Sequence, residues 1–127
     1  MPNEEKKKIF DLTERTAIFG ENIIEFAKKI PKNAITLPLI SQLVRAGTSV
    51  GANYCEADCA ESRKDFEHKL GICKKESKET KHWLRMTAKA VPELLTGAQE
   101  LAKESNELQL IFIAIIKKSK LNSILKD

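Results

Sequence analysis

Apolar and small residues recur along this chain in alternating steps of four and three. Leu12, Thr16, Phe19, Ile23, Phe26 and Ile30 form one such series, and Ile40, Leu43, Gly47, Val50, Tyr54 and Ala57 a second. The third runs Phe66, Leu70, Cys73, Ser77, Thr80, Leu84, Thr87 and Val91, and the fourth Leu94, Ala98, Leu101, Ser105, Leu108, Phe112, Ile115 and Ser119. Steps averaging about 3.5 residues hold one seam of a helix against its neighbours in a slightly supercoiled bundle. The pattern predicts an all-α, antiparallel up-down four-helix bundle, a single domain over 1–127, with helices over about 11–30, 37–61, 63–90 and 96–122. Short connections make consecutive helices antiparallel.

Local signals mark the ends. Asp11 with Glu14, Ser62 with Asp65, and Thr96 with Gln99 have the spacing of capping boxes. Pro31 and Pro92 stop the first and third helices, because proline has no N–H and disfavours helical geometry in the residue before it. Gly47 and Gly51 lie inside the second helix beside Ala46, Ser49 and Ala52. A glycine costs about 1 kcal/mol against alanine in a helix interior, so a nearly bare wall predicts close helix–helix approach. A phosphate-cradling loop would need a preceding strand, and none is predicted.

Composition narrows the class. At 127 residues, 42% hydrophobic and 31% charged, the chain suits one folded domain and not a disordered segment. No apolar run approaches about 18 residues, so no membrane span is expected. Residues 1–8 are charged and no apolar run follows, which does not read as a secretory signal. Three cysteines are then expected to be reduced thiols in a cytoplasmic protein.

The net charge of +4 is modest, but its placement is not. With Phe66 and Cys73 at heptad position d, and Leu70 and Ser77 at a, the residues Lys64, Lys74, Lys75, Lys78, Lys81, His82, Arg85 and Lys89 fall at b, e or f. They form one outward arc. Between residues 62 and 90 there are nine Lys/Arg against four Asp/Glu, an excess of +5 that leaves the rest of the chain near neutral. Such a stripe is either a solvated face or a track for phosphates. Residues 110 through 116 are all apolar and encircle the fourth helix, with Leu110, Ile113 and Ile116 at f, b and e. Surplus apolar surface of this kind predicts a homo-oligomer with these residues in the interface.

Other chemistry is set aside. Glu79-x-x-His82 and Asp65-x-x-His68 resemble a di-metal carboxylate motif, but both lie on one helix and point outward. Cys55 and Cys59 lack a second pair of ligands. No Ser–His–acid arrangement is legible, so no catalytic residue, metal or cofactor is expected. Tyr54 and Phe66 fall on seams and are read as packing. Glu14, Arg15, Asn53 and Glu56 flank the first two seams and are expected to form a polar network tying those helices together.

Several stretches resemble a known family. Asp11-Leu12-x-Glu14-Arg15-Thr16, Pro31-Lys32, and Gln42-Leu43-x-Arg45-Ala46-Gly47-Thr48-Ser49-Val50-Gly51-Ala52-Asn53-Tyr54-x-Glu56-Ala57 are similar to the bacterial four-helix bundle family of 23S rRNA intervening-sequence proteins. Ser62-Arg63-Lys64-Asp65-Phe66, the stretch from Glu79 to Leu84 with Trp83, and Asn106-Glu107-Leu108 extend the resemblance over nearly the whole chain. That family includes the accessory variability determinant of diversity-generating retroelements. The resemblance implies a homopentameric barrel of bundles with a basic surface and, in the retroelement branch, binding to nucleic acid and to a reverse transcriptase. It implies no catalytic residues. Cys55, Asp58 and Cys59 stand where more basic or polar residues are expected, which thins the basic surface near the second helix.

The expected function is therefore that of an oligomeric, non-enzymatic accessory protein. Lys64, Lys74, Lys75, Lys78, Lys81, Arg85 and Lys89 would contact RNA or DNA phosphates without reading sequence. The alternative is a protein-interaction scaffold whose basic arc docks an acidic or RNA-loaded partner.

Overall fold

Each of the four seams forms a helix in the computed structural model, which describes residues 11–126. In chain order these are α1 (Leu12–Lys28), α2 (Thr36–Asp58), α3 (Arg63–Ala90) and α4 (Leu95–Lys126), with a 3₁₀ turn at Pro92–Leu94 leading into α4. There is no strand among the described residues. Residues 1–8, read above as lacking a signal sequence, lie outside them.

Two of the three capping spacings close a hydrogen bond. The Asp11 carboxylate accepts from the Glu14 N–H at 3.1 Å, and the Ser62 hydroxyl from the Asp65 N–H at 3.0 Å. The Thr96–Gln99 pair does not cap α4, because the 3₁₀ turn runs straight into it and leaves no extended residue to act as a cap. An unanticipated device starts α2 one residue early. Asn33 Oδ1 accepts from the N–H groups of Ile35 and Thr36, while the Thr36 hydroxyl donates to the Pro31 carbonyl at 2.5 Å. α2 stops at Asp58, short of 61, where Cys59 and Ala60 tighten the last turn by donating to Glu56 and Ala57. That leaves Ser62 extended, as its cap requires. α4 continues past 122 to Lys126.

Around one core, α1 packs on α2 and, less extensively, on α4, while α3 packs on α2 and α4; across one diagonal, the Tyr54 ring of α2 meets the Phe112 ring of α4 with centroids 6.3 Å apart. Ile23, Leu43, Val50, Leu70, Cys73, Leu108 and Phe112 are fully buried at its centre. The seam positions named above are buried or half-buried in every helix, as far as Ser119 in α4. Phe26, near the end of α1, faces Gly97 near the start of α4, whereas Arg15, near the start of α1, reaches Glu104 and Glu107 farther along α4.

The core also holds hydroxyls, nearly all satisfied within their own helix. Thr16, Ser77, Thr80 and Thr87 each donate to the carbonyl four residues back, at 2.6–2.8 Å. Ser105 differs: it donates across from α4 to the Ser77 carbonyl of α3 at 2.6 Å. No buried side-chain polar atom among the described residues is left unpaired, so these groups carry little desolvation penalty.

The bare wall of α2 faces α1. A Cβ placed on Gly47 would lie 2.8 Å from both Cγ atoms of the fully buried Ile23, and one on Gly51 would lie 3.3 Å from the Thr16 carbonyl oxygen. Gly71, inside α3, has nothing within 4 Å of the same position. Gly47→Ala should therefore destabilise the fold by about 2 kcal/mol through overpacking, despite alanine's better helix propensity. Gly71→Ala should stabilise it by about 0.5–1 kcal/mol. Urea midpoints of the two variants, read by helical circular dichroism, should move in opposite directions.

Candidate nucleic-acid interface

The basic residues of α3 occupy two neighbouring sectors of the helix. One faces the crease against α4 and the other faces outward. Lys74, Lys75, Lys78 and His82 line a shallow groove of about 600 Å³ together with Glu79 and, from α4, Gln109 and Ile113. Lys81, Arg85 and Lys89 line a second groove of about 410 Å³ with Leu84 and Ala88, against Leu95, Ala98, Gln99 and Ala102 of α4. Between the two, Lys81 Nζ donates to Asn106 Oδ1 at 2.9 Å. Lys64 is exposed at the start of α3 but lines neither groove, about 15 Å along the helix from Lys74.

None of these seven cations forms an ion pair among the described residues. The nearby carboxylates are engaged elsewhere. Arg45 of α2 donates to Glu76 at 2.9 Å and Glu79 at 2.6 Å, and its Nε donates to Gln42. Hydrogen bonding to Glu79 and the two adjacent charges hold the Arg45 guanidinium above its ordinary pKa. The clamp draws the acids of α3 towards α2 and leaves the crease on the α4 side to the lysines. Glu79 borders the first groove, but its carboxylate is already bonded.

The polar network expected from Glu14, Arg15, Asn53 and Glu56 does not form. Arg15 turns to α4, making a bidentate pair with Glu104 at 2.9 and 2.7 Å and a further bond to Glu107. Glu56 pairs with Lys69 of α3 at 3.0 Å, and Asn53 donates to the Ser49 carbonyl of its own helix. Glu14 is exposed, and its bond to Asp11 is made by its backbone N–H. The reason is steric: Gly47 and Gly51 bring α2 so near α1 that no long polar chain fits between them. Ion pairs therefore bind the outer edges, α1 to α4 and α2 to α3.

The apolar surplus of α4 also lies differently. Leu110 is 57% exposed, but Ile116 packs on the core and Ile113 turns into the groove beside Lys74 and Lys78. α4 has neighbours on two sides, so positions outside its seam still find partners. The largest exposures fall at its end, on Ile124 and Leu125, with Leu121 about as open as Leu110.

Sequence reasoning missed the Arg45 clamp and the amides facing the lysines, Gln99, Asn106 and Gln109. Glu76 with Glu79, and Glu104 with Glu107, are three residues apart on one helical face and could have announced the acidic halves of both clamps. Cys55 and Cys59 are exposed, whereas Cys73 is buried and its thiol donates to the Val50 carbonyl at 3.5 Å. Among the described residues no group of three potential ligands could hold a metal, and no helix is long and apolar enough to cross a membrane.

Four helices around a partly hydroxylated core, with one cationic crease, define a small all-helical protein. A family model described as 23S rRNA-intervening sequence protein matches residues 8–114. The chain belongs to that family. It is also similar to the crystal structure of a protein with unknown function from the S23 ribosomal protein family of Bacteroides thetaiotaomicron. The two share 30% identity and a TM-score of 0.74, over 83% of this chain and 97% of that one. No curated protein matches the chain.

Two outcomes follow from the side-chain environments. Arg45→Ala strands the buried Glu76 carboxylate and should cost about 2 kcal/mol, discounted from a fully buried pair because Arg45 is half-exposed. Adding Glu76→Gln should recover part of the loss, as read in urea unfolding at neutral pH. Burial pushes the Cys73 thiol up to about 12. Because this pKa is raised on folding, the neutral thiol's contribution is intact at neutral pH and is lost only as pH climbs towards that value. A thiol reagent at mildly alkaline pH should label Cys55 and Cys59 promptly, and Cys73 only after denaturant is added.

Proposed function

We propose that this protein is a non-enzymatic, oligomeric accessory protein that binds RNA or DNA through the basic surface of α3. The observation that carries this reading is the set of cations that make no ion pair among the described residues, Lys74, Lys75, Lys78, Lys81, Arg85 and Lys89, along one crease. Cations left free by their own fold are available to release counterions from phosphates. Lys64 would extend the track at one end. The four helices are read as an antiparallel up-down bundle, which the pairings of Phe26 with Gly97 and of Arg15 with Glu104 support.

Self-association, to a pentamer in this reading, is supported by the exposed Leu110 and the apolar end of α4. A reverse transcriptase is the protein partner suggested by the resemblance carried in α2. A light-scattering mass equal to one chain at micromolar concentration would remove the oligomer from the proposal.

Titration with a structured RNA and a duplex DNA at two salt concentrations tests the binding. About six phosphate contacts predict an affinity that falls about 10³-fold between roughly 50 and 200 mM salt. Lys78→Glu with Arg85→Glu should weaken binding to all sequences alike. If there is no affinity at either salt and a neighbour-encoded protein co-purifies, the protein-interaction scaffold takes the place of this reading.

A further inference from the structure

The two sides of the α3–α4 crease differ in chemistry, and this points to the form of nucleic acid it takes. We infer that the crease is a site for single-stranded nucleic acid, with the backbone on the α3 side and the bases against α4; the inference rests on the nucleic-acid reading above. The α3 bank is cationic from Lys74 to Lys89, about 22 Å of helix, with one carboxylate, Glu79, that is paired with Arg45. The α4 bank carries no charge along the two grooves. It presents Gln109 and Ile113 in the first, Leu95, Ala98, Gln99 and Ala102 in the second, and Asn106 between them. Leu84 and Ala88 make the floor of the second groove apolar.

This asymmetry matches a strand whose two edges differ in the same way. Phosphates need point charges. Unpaired bases offer flat apolar faces and edges that mix donors and acceptors. A glutamine amide also carries both a donor and an acceptor, so it can meet any base edge without selecting one. Asn106 spends its oxygen on Lys81 and keeps its NH₂ group for a ligand. The His82 ring, exposed and set edge-on to Trp83 at 4.9 Å, adds a surface on which a base can stack. A duplex hides its base faces and Watson–Crick edges, and its groove edges lie recessed between convex ridges of phosphate that a shallow crease does not enter, so it could use the cations but not the amide bank. An acidic peptide likewise would use the cations alone.

The experiment is fluorescence anisotropy with one dye-labelled oligonucleotide of about twelve nucleotides, single-stranded and as the duplex with its complement, at a fixed salt concentration. The full-length chain is used, and poly-glutamate serves as competitor. The single strand should bind at least about tenfold more tightly than the duplex. Gln99→Ala with Gln109→Ala should weaken the single strand by about fivefold or more and leave the duplex unchanged. Circular dichroism of the variant guards against unfolding, and an unchanged spectrum is expected because Gln99 is exposed and Gln109 half-buried.

Equal or tighter duplex binding overturns the inference and leaves the broader nucleic-acid reading standing. So does an amide variant that binds the single strand undiminished. Competition by poly-glutamate at the same charge concentration as the oligonucleotide shows that the crease reads charge alone, and overturns it as well. Absence of binding by either form overturns both.

Discussion

The separation of α1 from α2 is fixed by what Gly47 and Gly51 lack. With Ile23 and the Thr16 carbonyl occupying the space of two missing side chains, the helices meet almost backbone to backbone. Everything polar must then be placed elsewhere. Arg15 is directed to α4 and Glu56 to α3, and Arg45 gathers the two carboxylates of α3 towards α2. The cationic crease on the far side of α3 is what remains once those acids have been drawn away.

The number of helices and their seams were legible because a stripe of apolar positions in 3.5-residue steps reports burial directly. The ends were legible where a side chain caps them, at Asp11 and Ser62. They were not legible where a loop side chain caps from outside the usual spacing or where the backbone caps itself. The Asn33 turn uses one amide oxygen for two N–H groups, and the 3₁₀ turn at Pro92 makes the Thr96 signal redundant. Neither arrangement has a spacing that stands out from chance in a polar loop.

The candidate site was half legible. The lysines announce themselves by sign and heptad position, but a heptad places a residue on its own helix and says nothing about the bank opposite. Gln99, Asn106 and Gln109 matter only because α4 lies beside α3 at that height. The same limit explains Ile113 and Ile116. A wheel puts them outside the seam, yet Ile113 lies in the groove against α3 and Ile116 packs on the core. The polar network failed for the converse reason, since a pairing inferred from two flanking seams took no account of how little room the glycines leave.

The core hydroxyls have a consequence for how the helices are aligned. Thr16, Ser77, Thr80 and Thr87 bond within their own helices and would be equally content at another axial offset. Ser105 would not, because its bond to the Ser77 carbonyl closes only when α4 stands at one height against α3. The half-buried Ser119 repeats the device farther along, donating from α4 to the Glu67 carboxylate of α3 at 2.6 Å, so the two hydroxyls act as index marks. They help set which amides of α4 stand opposite which lysines of α3, so the chemistry of the outer crease is aligned partly from inside the protein.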